Sequence, residues 1–105
     1  MGSLTYDTTT KIDFDDRILA HFQVVIGLKL RRNESFFLSW RDDASIGDGR
    51  SSIWLHPAIA LRFKFHGGRP VSINTAWIDE LMIQANSAAG LRPTVEPQAK
   101  VAEHH

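Results

Sequence analysis

The run "DDRILAHFQVVIGLKLRRN", residues 15–33, constrains the fold more than any other stretch of the chain. Its apolar residues Ile18, Leu19, Phe22, Val25, Ile26 and Leu30 recur at the spacing of one helix face, which predicts a long amphipathic helix. Asp15 or Asp16 supplies the oxygen that caps its start. Arg31, Arg32 and Asn33 close it, the cations lying at the negative end of the helix dipole and the asparagine tolerating a left-handed backbone. Gly27 inside the helix costs up to about 1 kcal/mol relative to alanine, and a close helix-to-sheet contact is the expected reason for it.

A helix with one apolar stripe needs a second layer, and the flanking sequence supplies period-two runs. "SLTY" and "KIDF" flank "DTTT", and alternation sets Leu4 with Tyr6 and Ile12 with Phe14, the pattern of a short hairpin. "SFFLSW", "SSIWLH" and "LRFKF" read as three further strands, rich in aromatic and branched residues, with Pro57 in a turn between the last two. They are expected to form an antiparallel meander. Ser72 or Asn74 then caps a second helix, "TAWIDELMIQANSAAG", with Trp77, Ile78, Leu81, Met82 and Ala85 on one stripe and Gly90 as its stop. Residues 91–105 carry two prolines and little apolar periodicity, so a mobile tail is expected, and His104 with His105 is consistent with the start of a purification tag.

The expectation is therefore one α+β domain over residues 1–90, in the order ββαβββα: an antiparallel sheet, made of the N-terminal hairpin and the three-strand meander, with two helices on one side. At 105 residues such a domain buries roughly two-thirds of its unfolded surface around one core. The chain has no cysteine, which removes disulfides, thiolate nucleophiles and cysteine-held metal centres and favours an intracellular setting. The N-terminus lacks the basic and apolar regions of a secretory signal and no run is long enough to span a bilayer, so a cytoplasmic protein with no membrane partner is expected. Twelve basic residues balance twelve acidic ones, against the strongly electropositive character of a dedicated DNA binder. A local basic patch remains compatible with that balance.

Several patterns have the residue types of a site. Asp42, Asp43 and Asp48 offer clustered oxygens of the kind a hard cation prefers, but their spacing misses the known calcium loop, and Asp48 followed by Gly49 is a strong hairpin-turn signal. A solvated turn in which Arg41 and Arg50 neutralise the acids is the simpler reading. His21, His56 and His66 are candidates for a nucleophile's base, yet Ser51 and Ser52 sit close before His56 on one strand and no glycine-flanked serine elbow occurs. Gly67, Gly68 and Arg69 precede a helix start, where free amides favour an anion, without the glycine spacing of dinucleotide or P-loop motifs. No cofactor is expected.

Alternation in the meander marks out a surface instead. Leu61, Phe63 and Phe65 face the core, as do Ile53 and Leu55, leaving Arg62, Lys64 and His66, and Ser52, Trp54 and His56, outside. In "SFFLSWR", Phe36, Leu38 and Trp40 point one way and Phe37, Ser39 and Arg41 the other. With the second set outward, Phe37, Arg41, Trp54, His56, Arg62 and Lys64 share one face. Such a face suits a homodimer or protein partner, because exposed aromatic patches seldom stay uncovered. Alternatively, aromatic rings interleaved with cations suit nucleic acid, the bases stacking while the cations track phosphates.

Taken together, "GSLTYDTTTKIDFDDR", "SFFLSWRDD", "GDGRSSIWLHP" and "GGRPVSINTAW" resemble a family of small actinobacterial proteins of unknown function, over roughly residues 2–95. Members of that family are often labelled ATP-dependent DNA ligases. A ligase of that kind carries its nucleotide on the lysine of a Lys-x-Asp-Gly-x-Arg motif. Here Lys11 and Asp13 stand in place, but Phe14 replaces the glycine and Arg17 comes one residue late. The chain is also short for an adenylation domain with its closing partner, so complete ligase activity is not expected and no catalytic residue is assigned. The resulting expectation is a non-catalytic binding or assembly module; the alternative is a nucleic-acid accessory domain linked to ligation or repair.

Overall fold

The computed structural model describes residues 1–42, 45, 47 and 49–98. The elements follow the expected order: β1 (Gly2–Tyr6), β2 (Thr10–Phe14), α1 (Asp16–Arg31), β3 (Phe36–Arg41), β4 (Arg50–Leu55), β5 (Leu61–Lys64) and α2 (Thr75–Ala85). The α+β class holds, with five strands in two antiparallel sheets. No helix among the described residues is long and apolar enough to cross a membrane.

Both caps resolve to one residue each. The Asp15 side chain accepts from the Arg17 amide at the start of α1, and Asn74 accepts from the Ala76 amide at the start of α2. Asn33 takes the left-handed conformation, φ 60°, just beyond α1. The stripe of α1 buries Leu19, Phe22, Val25 and Ile26 almost completely against β1 and α2. Each such side chain contributes roughly 2 kcal/mol of hydrophobic stabilisation. Gly27, in contrast, is exposed, and a Cβ added there would meet nothing within 4 Å. The expected helix-to-sheet contact does not exist.

The meander stops after two strands. β3 pairs with β4, but β5 runs antiparallel to β1, so the second sheet has the order β2–β1–β5. The five residues after β4 turn away through Pro57, which has no amide to donate to a ladder, and the Ala60 carbonyl receives the Asp7 amide beyond the end of β1. This pairing completes an inward apolar row, Ile12–Leu4–Phe63, across three strands. The Tyr6 hydroxyl, donating to the Trp54 carbonyl at 2.8 Å, joins the two sheets.

Two further expectations change at the C-terminal end. α2 ends at Ala85, five residues before Gly90, with Asn86 as its cap, whose side chain accepts from the buried ammonium of Lys29. Residues 91–97 pack on the domain where a tail was expected. Leu91 is fully buried, Thr94 accepts from the Trp77 indole, and Glu96 pairs with Arg17. Residues 99–105, the rest of that expected tail and the histidines at its end, lie outside the described residues.

Candidate functional site

The β3–β4 hairpin shows one face to the core and one to solvent. Phe36, Leu38 and Leu55 are buried on the first. On the second, the register sets Phe37 opposite Trp54, Ser39 opposite Ser52, and Arg41 opposite Arg50. Three cross-strand pairs of matched chemistry therefore descend one face: aromatic on aromatic, hydroxyl on hydroxyl, cation on cation.

The pairs differ in how well each is satisfied. Phe37 and Trp54 stack edge to face with centroids 4.8 Å apart, yet stay 43% and 46% exposed. The serine hydroxyls lie 2.7 Å apart, and Ser39 also donates to the Ala89 carbonyl at 3.2 Å. Arg41 and Arg50 are exposed, and neither forms an ion pair among the described residues. Like charges directly opposite one another in a ladder are destabilising, by up to about 1 kcal/mol.

A wall rises beside this face. The Ser39 amide donates to the Leu91 carbonyl and the Leu91 amide to the Phe37 carbonyl, each at 2.8 Å, so residue 91 bridges β3 in parallel. Gly90 makes the approach possible: its φ is +83°, and an added Cβ would fall 2.4 Å from the Phe37 carbonyl oxygen. Between wall and hairpin lies an open cleft of about 1040 Å³, lined by Phe37, Ser39, Trp40, Arg41, Arg50 and Ser52, by residues 88–89 and 92–93, and by Asp13 and Phe14 from β2. Arg92 contributes a third exposed cation, and Asp13 is the sole acid in the lining among the described residues.

The expected surface is thus divided. Phe37, Arg41 and Trp54 share the hairpin face, whereas Arg62 and Lys64 belong to the other sheet and His56 sits half-buried just past the end of β4. Ser39 and Ser52, expected outward but not as binding residues, join the cleft with Arg50, expected only in the turn that borders it, and with Arg92, for which no role was expected. A signal for the first three existed: β3 read forward and β4 read backward both give aromatic-x-Ser-x-Arg, which a hairpin aligns pair by pair. Arg92 carried none, because its position depends on Leu91 docking against β3.

The other candidates have structural occupations. The amides of His66 and Gly67, within the loop expected to attract an anion, already receive one: the Asp16 carboxylate, at 2.9 and 2.8 Å. Those bonds hold the Asp16 carboxyl below its ordinary range. Gly68 and Arg69 are exposed nearby and make no part of that contact. His21 is fully buried; Nδ1 donates to the Arg17 carbonyl within α1 at 2.7 Å, which fixes the ring, and Nε2 accepts from the amide of the α2 cap Asn74 at 2.8 Å, which ties α2 to α1. Ser51 donates to Asp42 rather than to a histidine. Asp43 and Asp48 lie outside the described residues, among which no cluster of three metal-ligating side chains occurs.

A family model described as a domain of unknown function, DUF7882, matches residues 1–96. No curated protein and no solved structure matches the chain.

Proposed function

We propose, for a chain that belongs to the DUF7882 family of domains of unknown function, a binding role in which the hairpin cleft holds single-stranded nucleic acid and performs no chemistry on it. The observation that carries this reading is the Arg41–Arg50 pair, opposed across one ladder with no ion pair to either among the described residues. An arrangement that weakens the free protein becomes favourable once a phosphate lies between the two guanidiniums, each of which can donate in a planar fork. Four residues along the strands, about 13 Å away, the Phe37–Trp54 pair, set edge to face, offers exposed ring surface on which a base stacks. Between them the Ser39 and Ser52 hydroxyls are small enough to leave the floor open.

A second reading, self-association or a protein partner, draws support from the exposed aromatic pair alone. Through the whole cleft it fares worse, since a second copy brings three more arginines toward the first three. The ligase label of the family that the sequence resembles fits an accessory association with DNA, because the glycine after Asp13 that the adenylated motif needs is Phe14, a core residue. The actinobacterial source is likewise an expectation of that resemblance.

Tryptophan fluorescence during titration with a short oligothymidylate tests the proposal, since Trp54 is far more exposed than the buried Trp77. The expected result is a saturable change at low salt, with three phosphate contacts giving a slope of about −2 in log affinity against log salt. Arg50→Glu should abolish binding and Trp54→Ala should weaken it at least tenfold, corresponding to about 1–3 kcal/mol of lost stacking. No saturable change, together with a dimer in sedimentation equilibrium that Trp54→Ala dissociates, would replace this reading with self-association.

A further inference from the structure

The cationic surface does not end at the cleft. On the outward face of the β2–β1–β5 sheet, register places Lys11, Thr5 and Arg62 in one row and Asp13, Ser3 and Lys64 in the next. Asp13 lines the cleft and also lines a smaller cavity of about 210 Å³ bounded by Ser3, Lys11 and Lys64, so the two surfaces meet there. Lys11, Arg62 and Lys64 are exposed, and none forms an ion pair among the described residues.

The charge of the whole chain shows how uneven this is. Twelve cations balance twelve acids overall. Six of those cations, Arg41, Arg50, Arg92, Lys11, Arg62 and Lys64, lie on the two adjoining surfaces, against Asp13 as the one acid placed there among the described residues. A solvated face with no partner would be expected to mix the signs. The cations of the second surface also stand apart: Arg62 and Lys11 lie on either side of Thr5, about 10 Å from each other, two strand spacings, and across Ser3 Lys64 faces Asp13 at the same separation. Between them Thr5 is half-buried and Ser3 buried, and the cavity of about 210 Å³ beside Ser3 forms the trough.

We propose that this trough is a second station for the same single strand, resting on the cleft reading above: nucleotides beyond the cleft pass Asp13 and cross the sheet, their phosphates held by Lys11, Arg62 and Lys64. The cleft supplies stacking and arginine forks; the trough supplies charge alone. It therefore adds affinity that depends on strand length and salt but not on base identity.

Oligothymidylates of about four and about sixteen nucleotides separate the two stations. In the wild-type chain the long strand should bind at least tenfold tighter than the short one. The triple variant Lys11→Ala, Arg62→Ala, Lys64→Ala should lose that advantage, its salt slope for the long strand falling by about two, at about 0.7 per lost phosphate contact. Affinity for the short strand should not change, and the arginine and lysine exchanges Lys11→Arg, Arg62→Lys and Lys64→Arg together should restore the long-strand gain. Far-ultraviolet circular dichroism checks that each variant is folded. If the short strand binds and depends on Arg50 while the triple variant leaves the long strand unaffected, the second station is wrong and the cleft stands. Binding of neither strand overturns both. Oligoglutamate that binds as tightly as the long strand, with the same dependence on Lys11, would overturn the choice of nucleic acid.

Discussion

Arg17 and Arg50 show two opposite uses of one side chain. Arg17 donates through two nitrogens to both oxygens of Glu96, at 2.5 and 2.7 Å, and through a third to the Ser72 carbonyl. Asn74 joins the same network, donating to Glu96 and to the Pro97 carbonyl while its own amide meets His21. Around Arg50 no comparable network occurs among the described residues: its ladder partner is another arginine, and the hydroxyls of Ser39 and Ser52 bond to one another and to the wall. On the helical side, charge closes the fold. On the hairpin side no such closure occurs among the described residues, and that difference is the ground for the proposed binding surface.

Gly90 is where the two regions join, and breaking it should have the largest effect. Gly90→Ala places a methyl group against the Phe37 carbonyl in a left-handed conformation, at a cost of about 3 kcal/mol in urea unfolding, with loss of oligonucleotide binding as the wall shifts. Next comes His21→Phe, which keeps the ring against Trp77 but strands the buried Asn74 amide. It should cost about 2 kcal/mol and leave oligonucleotide affinity unchanged, because the closed network does not touch the ligand. Equal losses of stability and affinity in this variant would dissolve the distinction between the regions.

Glu96→Gln sharpens the comparison through pH. The Arg17 guanidinium, aided by the Asn74 amide group, lowers the Glu96 carboxyl from its ordinary 4.5 to about 2. A depressed carboxylate adds stability that is fully present above its unfolded value and is lost as pH falls through the folded one. The wild-type advantage over Glu96→Gln should thus hold at neutral pH and disappear between about pH 4.5 and pH 2. Chemical unfolding across that range measures it; an advantage independent of pH would mean that the ion pair contributes nothing.

The smallest effect on stability carries the most information about the open side. Arg50→Glu puts an opposite charge across from Arg41 and should stabilise the free protein by about 0.5 kcal/mol while removing ligand affinity. A residue whose loss strengthens the fold and weakens binding is held for the partner. Destabilisation by this change would place Arg50 in the structural network after all.

How much of this could be read from the residues follows from the range of the interactions. The α1 stripe and both caps are local, and they appear in the structure as their spacing implied. The outward register of β3 and β4 was also legible, since burying Leu38 and Leu55 forces Phe37 and Trp54 outside. The partner of β5 was not. Alternation states which face of a strand is apolar but not which edge it joins, and β1 had a free edge that completed the Ile12–Leu4–Phe63 row. Residues 91–97 look irregular because their order comes from Trp77, Arg17 and β3, each distant in sequence. Arg92 and the full cleft were hidden with them.

Chemical-shift mapping of the amide and indole signals on addition of a short oligothymidylate tests the central claim most directly. Shifts should concentrate at Phe37, Ser39, Arg41, Arg50, Ser52 and Arg92 and at the Trp54 indole, leaving His21, Asn74 and the Trp77 indole unmoved. Shifts centred on the helices, or none at saturating concentration, would contradict the assignment of the hairpin cleft as the binding surface.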